Sequence, residues 1–375
     1  MPLFDVVSFP ARVAVVVLTF GLLAACASTG SGMSAKSALS DADLALGAAS
    51  KDNRTSGGFN ETVRIRGMLD GGGSVYGRLI ITNLATANQL ARVRLSVSPA
   101  GKPTTAINLR RKKGTWSASA DKLAFKAPDR KGSSVDLQGT MDALTWTAEN
   151  HIARITVTLT PTVKPMDPPG GAADFGNGKF FRTTLLAPHA KLAVKLVTKA
   201  KPDGSTTASE QSFTGWAYAE KRTSNLAPYL MARRFIDVRE YDANGTFALS
   251  MFQRSPNFGG KRQGWMVCVR DGNVVVQAGQ LSVKTEQATP HAESGYSVPQ
   301  LVRFEDKNDP TVKGVVKATK LARVYDDLRG LSKLERVIAE RFAKPWTFRH
   351  EAAWALRAGD KKMSGGGSYS YNQLK

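Results

Sequence analysis

An all-β fold, built as two tandem antiparallel barrels or sandwiches with one C-terminal helix, is what this chain predicts. Three observations carry that reading. Apolar and polar residues alternate at period two through most of the sequence, short Gly-, Asn-, Asp- or Lys-rich turns interrupt the alternation, and a stretch near the C-terminus has helical spacing. At 375 residues the chain is more than twice the ~150-residue prior for one domain, so two sizeable cores fit. Its 42% hydrophobic and 22% charged residues, with 34 Gly and 17 Pro, exclude collagen, a wholly disordered chain and a polytopic membrane protein.

The front end reads as a leader. An apolar run from Val13 to Ala25 follows Arg12 and ends at Leu23-Ala24-Ala25-Cys26, too short to span a bilayer but suited to a signal-peptide core. The pattern resembles the lipobox of bacterial lipoproteins, which implies a signal peptide over 1–25, lipid attachment at Cys26 and a tether over 26–57, with a short helix within 35–49. No Asp follows Cys26, which in such lipoproteins implies sorting to the outer membrane, and several acyl chains on one cysteine give stable anchoring. The alternative is an ordinary secreted protein with a cysteine near its cleavage site. A lipidated Cys26 leaves Cys268 without a partner, so no disulfide is expected and Cys268 reads as a packed strand residue.

The formal charge of +21 makes an anionic lipid or lipopolysaccharide surface a candidate partner. Most positives are dispersed through strands, as at Arg92 and Arg94, and Arg110-Arg111-Lys112-Lys113 is the one compact run. Nucleic acid is not an expected partner.

From Glu61 to Thr160 successive segments such as TVRIRGML, SVYGRLIITN, LARVRLSVS and IARITVTLTP read as strands with one wet and one dry face. Met166-Asp167-Pro168-Pro169-Gly170-Gly171 then interrupts the sheet. The second half repeats the theme with longer, more aromatic strands, and Asn244-Gly245 and Asp271-Gly272 mark hairpins. We place a first β domain at 58–210 and a second at 211–375. Within the latter, Leu331 to Ala343 has helical spacing, with Ser332 able to cap and Pro345 to stop it.

The densest polar and aromatic interleaving runs from Gly215 to Asn225. In a strand, Trp216, Tyr218 and Glu220 share one face. Trp216, Tyr218, Glu220 and Arg222 are therefore the candidate ligand-binding residues, with Glu220 or Arg222 as the polar anchor of an apolar pocket. The competing reading is a Glu–Arg pair that satisfies buried polar groups where two domains meet. His151, His189, His291 and His350 and the two cysteines are far apart and lack metal-ligand spacing, so no metal or other cofactor is expected. Ser224 lies in no nucleophile elbow, and His189 reads as a turn residue.

Three ordered segments carry a resemblance: ITVTLTPT (155–162) with its Pro/Gly-rich continuation, FFRTTLLAPHAKLAVKL (180–196) and GWAYAEKRTSNLAPYLMARRF (215–235). They resemble the survival-factor-like, hydroxyneurosporene-synthase-like and AttH-like superfamily, which implies two tandem lipocalin-like domains over roughly residues 58–300. The chain departs from that pattern with Pro188-His189 where Pro-Arg is expected, and with Glu220-Lys221 where the acidic residue precedes His. Relatives that hydrate a carotenoid double bond need an acid near that junction, and lysine at its ordinary pKa is a poor proton shuttle. The leading expectation is thus a lipoprotein that binds or carries a hydrophobic or amphipathic ligand, a lipid or isoprenoid. The alternatives are a non-catalytic structural or surface-interaction envelope protein and a lipid- or isoprenoid-modifying enzyme such as a hydratase.

Overall fold

The computed structural model describes residues 39–50, 52–53, 56–83, 88–200, 207–326, 328–329, 336–337, 340–341 and 343–374. The 1–25 leader, Cys26 and the first part of the 26–57 tether lie outside the described residues, as does most of the 331–343 helix, of which Arg336, Val337 and Glu340 are helical.

Helix α1 (Asp41–Leu44) and a single 3-10 turn (Gly47–Ala49) precede the sheets. Twelve strands follow: β1 (Asn60–Leu69), β2 (Gly73–Thr82), β3 (Leu90–Pro99), β4 (Thr105–Arg111), β5 (Ser117–Ala118), β6 (Leu123–Ala127), β7 (Ser134–Gly139), β8 (Leu144–Glu149), β9 (Ala153–Pro161), β10 (Ala172–Asp174), β11 (Phe180–Thr198) and β12 (Ser209–Ser224). Their spatial order is β4-β3-β2-β1-β12-β11-β9-β8-β7-β6-β5, with β10 laid on β11. Helix α2 (Pro228–Met231) then leads into β13 (Ala232–Asp242), β14 (Gly245–Arg254), β15 (Arg262–Arg270), β16 (Asn273–Ala278), β17 (Leu281–Pro290), β18 (Ser297–Asp306), β19 (Lys313–Asp326), β20 (Trp346–Ala358) and β21 (Lys361–Gln373). These form a second sheet in the order β16-β15-β14-β13-β21-β20-β19-β18-β17. The strand that carries Trp216 belongs to the first sheet, so the 210/211 boundary expected from sequence falls inside β12.

Period-two alternation explains both cores. On β1, Val63 and Ile65 are fully buried while Arg64 and Arg66 face the other way. The first sheet curls over its apolar face into a half-barrel. A Cβ at Gly77 on β2 would come within 3.0 Å of the Trp146 ring, although Trp146 lies on β8, several strands away along the sheet. Phe125, Leu137, Ile155 and Val157 fill the remaining space. In the second sheet Phe247 stacks on Trp354 at 4.1 Å, and Cys268 is buried and free, as its sequence context predicts, with burial pushing its thiol up to about 11. Asp271 and Gly272 both adopt positive φ, 50° and 71°, at the hairpin between β15 and β16 that their sequence announces.

Of the two tandem antiparallel barrels or sandwiches expected, the structure shows two antiparallel sheets, one curled into a half-barrel; among the described residues no ladder joins β4 to β5. The apolar faces of both sheets are lined by buried clusters of side chains.

The N-terminal segment closes one end of the first core. Leu44, Leu46 and Ala48 are buried, and Lys221 Nζ donates to the carbonyls of Asp43, Leu44 and Ala45 at 3.3, 2.9 and 2.6 Å. Glu61 accepts from the backbone N–H groups of Gly47 and Ala48 and from Thr223 Oγ1. Lys221, which stands where the resemblance expects histidine, is a structural clamp, and burial lowers its pKa.

Candidate functional site

The second face of each strand set decides where a site can form. Tyr218, Glu220 and Arg222 on β12 and Thr62, Arg64 and Arg66 on β1 point away from the first core. The second sheet presents Asp237, Arg239 and Tyr241 on β13 against them. The two wet faces are therefore pressed together, and their charged groups are buried.

Glu220 is the hub. Its Oε2 accepts from Tyr218 Oη at 2.8 Å, Arg239 Nη2 at 2.9 Å and Arg222 Nη2 at 3.3 Å. Its Oε1 meets Arg64 Nη1 at 3.2 Å and Arg222 Nε at 3.2 Å. Asp237 Oδ1 accepts from Arg222 Nη2 at 2.6 Å and Ser250 Oγ at 2.7 Å. Arg239 also donates to the Val238 and Leu249 carbonyls and lies over the Tyr218 and Trp265 rings at 5.2 and 5.1 Å. Burial by itself would raise both carboxyls. Arg222, Arg239 and Arg64 hold Glu220 well below the usual carboxylate range, and Arg222 and Arg239 bring Asp237 to about 2. Burial raises the Tyr218 phenol, which stays protonated and donates.

Beside this network a cleft of about 230 Å³ opens between the sheets. One end is lined by Arg64, Arg66, Arg222, Asp237 and Arg349, the other by Phe181, Met231, Phe235 and Leu374. The apolar end continues into an aromatic cluster in which Phe181 meets Phe252 edge-on at 5.4 Å. Tyr76 sits opposite Arg66 in the β1–β2 register. Burial would raise its phenol, but Arg64, Arg78, Arg66 and Arg349 draw it down to about 8. A larger depression of about 580 Å³ lies on the second sheet around Gly314 and Ala355. Its charged groups, Lys284, Arg303, Glu305, Lys313, Arg357 and Lys362, are all exposed, so it lacks the desolvated polar groups that orient a ligand.

Of the residues expected from sequence, Arg222 lines the cleft, and Glu220 and Tyr218 form the buried network directly behind it. Trp216 lies apart, stacked on His189 with ring centroids 4.7 Å apart and 8° between planes. His189 sits in β11, at a bulge where the register against β12 shifts, in place of the expected turn. Its Nε2–H donates to the Asp242 carbonyl at 2.8 Å, so Nδ1 accepts from Thr162 Oγ1 at 2.7 Å, and burial lowers its pKa. This neutral, doubly bonded imidazole ties the two sheets together. Sequence reasoning missed Asp237, Arg239, Arg64, Arg66, Tyr76 and Arg349. Arginines on the polar side of an alternating strand look like an ordinary solvated face until a second sheet covers them. Among the described residues no group of His, Cys, Asp and Glu is placed to hold a metal ion.

The architecture recurs in solved structures. The crystal structure of CghA with Sch210972 superposes with a TM-score of 0.57 at 10% identity, covering 85% of this chain and 88% of that one. Kievitone hydratase from Nectria haematococca gives 0.50 at 9% identity over 84% and 89%, and a Nitrosomonas europaea structure assigned to AttH gives 0.47 at 13% over 85% and 94%. No family model and no curated protein matches the sequence. The chain thus shares its two-sheet fold with CghA and kievitone hydratase at low identity and high coverage. The outer-membrane, lipid-anchored location expected from the leader is corrected by this comparison. The structures that share the fold include a hydratase and CghA with Sch210972, and among the described residues no helix is long and apolar enough to cross a membrane.

Proposed function

We propose that the cleft between the sheets is a small-molecule site and that the protein is an enzyme adding water to, or removing it from, a largely apolar substrate. The observation that carries this reading is the cleft itself: a half-buried polar end built from Arg64, Arg66, Arg222, Asp237 and Arg349 beside an apolar end of Phe181, Met231, Phe235 and Leu374. Such a pairing orients an amphiphile. Support comes from the shared fold, which in one neighbour holds a small molecule and in another belongs to a hydratase. Hydration of a double bond needs a proton donor beside the substrate, and Tyr76, with its phenol drawn to about 8, is the group beside the cleft best matched to that task near neutrality. Tyr218, Glu220 and Arg222 act in this reading as the scaffold that sets the polar wall, and Trp216 stiffens the strand from outside it. Lys221, committed to three carbonyls, takes no part.

The test is incubation with a panel of isoprenoid and unsaturated-lipid alkenes in oxygen-labelled water, read by mass spectrometry, together with displacement of an apolar fluorescent probe. Label incorporation lost in Tyr76→Phe, with probe binding lost in Thr62→Trp, which fills the cleft, is the expected result. Probe binding that survives Thr62→Trp in folded protein places the ligand elsewhere and sinks the assignment.

A further inference from the structure

The register of β1, β2 and β12 arranges the outer face of the first sheet in rows. Glu220, Arg64 and Arg78 form one row, and Tyr218, Arg66 and Tyr76 form the next. Arg64 therefore stands directly across from Arg78. Arg349 on β20 approaches from the second sheet, lines the same cleft as Arg64 and Arg66, and acts electrostatically on Arg66, Arg78 and Tyr76.

Among the described residues, the carboxylates that reach Arg64 and its neighbours across the cleft are already shared. Glu220 is already shared among Arg64, Arg222 and Arg239, and Asp237 is held by Arg222 and Arg239. Arg66 has a neutral partner, Ser368 Oγ, at 3.5 Å. The Nε atoms of Arg64 and Arg349 are buried without a hydrogen-bond partner among the described residues, although buried donors are nearly always satisfied. The lowered pKa of Tyr76 reports the same excess of positive field.

We propose that Arg64, Arg66 and Arg349 bind the carboxylate of the substrate, whose apolar body lies against Phe181, Phe235, Met231 and Leu374. This rests on the cleft being the ligand site and adds the substrate class: an apolar carboxylic acid. Two planar oxygens suit guanidinium forks drawn from both sheets. A phosphate dianion fits less well, because Glu220 and Asp237 stand as fixed carboxylates in the same network. The volume of about 230 Å³ is below the ~300–1,000 Å³ usual for drug-sized ligands, so the site takes a small acid or the acid end of a longer one.

The experiment is calorimetric titration of the full chain with phenylacetate, its neutral analogue phenylacetamide and inorganic phosphate, each against wild type, Arg349→Gln and Arg66→Gln. Circular dichroism checks folding, and Arg349→Lys serves as the variant that keeps the charge. Phenylacetate binding about 10- to 100-fold tighter than phenylacetamide, lost in both glutamine variants and partly kept in Arg349→Lys, is the expected result. Equal binding of acid and amide, with both blocked by Thr62→Trp, leaves the cleft as the ligand site and overturns the carboxylate assignment. Phosphate binding as tightly as phenylacetate overturns it in favour of a general anion site. Failure of both phenyl compounds and of the apolar probe overturns this inference together with the cleft reading.

Discussion

The interior of the first sheet and the interface between the two sheets are both dry and are held together in opposite ways. Inside, Val63, Ile65, Trp146 and their neighbours exclude water with largely apolar groups, so each residue loses little by having several possible neighbours. Between the sheets, Glu220 and Arg239 are nearly as deeply buried, with Asp237 and Arg222 slightly more exposed, but each charge is tolerable only with its named partners in place. The lesson is that the same alternation that builds a packed core on one face builds a demanding polar network on the other once that face is covered.

That contrast breaks most sharply at Trp146. Trp146→Ala is expected to cost ~5 kcal/mol in urea unfolding, near the upper end for a fully buried aromatic. A cost below ~1 kcal/mol removes the claim that β8 packs across the core onto Gly77. At the interface, Glu220→Ala leaves three arginines facing a vacancy and is expected to cost about 3–5 kcal/mol. Here the two regions separate. Replacing Glu220, Asp237, Arg222 and Arg239 together by leucine or methionine should recover most of that loss, whereas no second substitution rescues Trp146 short of refilling its volume. A quadruple variant no more stable than Glu220→Ala shows that the network contributes more than the mutual neutralisation of its charges.

Acid sharpens the comparison further. The folded-state pKa of Asp237 lies at about 2, below its ordinary 3.8, so its contribution is fully present above about pH 4 and is lost as pH falls towards 2. The loss is on the order of 2 kcal/mol and should vanish in Asp237→Asn, while the apolar interior adds no pH dependence of its own. Tyr76 titrates in the opposite range. With its pKa lowered from 10.0 to about 8 by Arg64, Arg78, Arg66 and Arg349 against the effect of burial, the folded state releases a proton that the unfolded chain keeps. Stability therefore rises from pH 8 to 10, and a phenolate absorbance step near pH 8 should disappear in Tyr76→Phe. The smallest effect belongs to the exposed Lys195–Glu210 pair, where Lys195→Ala should change stability by less than ~1 kcal/mol.

Much of the fold was legible because a strand advertises its two faces. VRIRG and YGRLII alternate without ambiguity, and Asp271-Gly272 sits where its positive φ values require it. Part of the site was legible too: Tyr218, Glu220 and Arg222 fall on one face, as their spacing dictates, and meet in one network. Trp216 obeys the same spacing yet pairs with His189, because the bulge in β11 lifts that imidazole beneath it. Lys221 read as a substituted catalytic position, but the carbonyls of Asp43, Leu44 and Ala45 claim its ammonium through a contact 176 to 178 residues distant in sequence.

The sequence by itself determined the all-β class, the two dry faces and the excess of positive charge, because period and composition are local properties of the chain. Only the tertiary structure decided that the dry faces are buried, that the wet faces meet, and that arginines from both sheets converge on one cleft. Strand periodicity assigns a side chain to a face, but what covers that face depends on how the sheets curl and dock, which is set by packing among residues far apart in sequence.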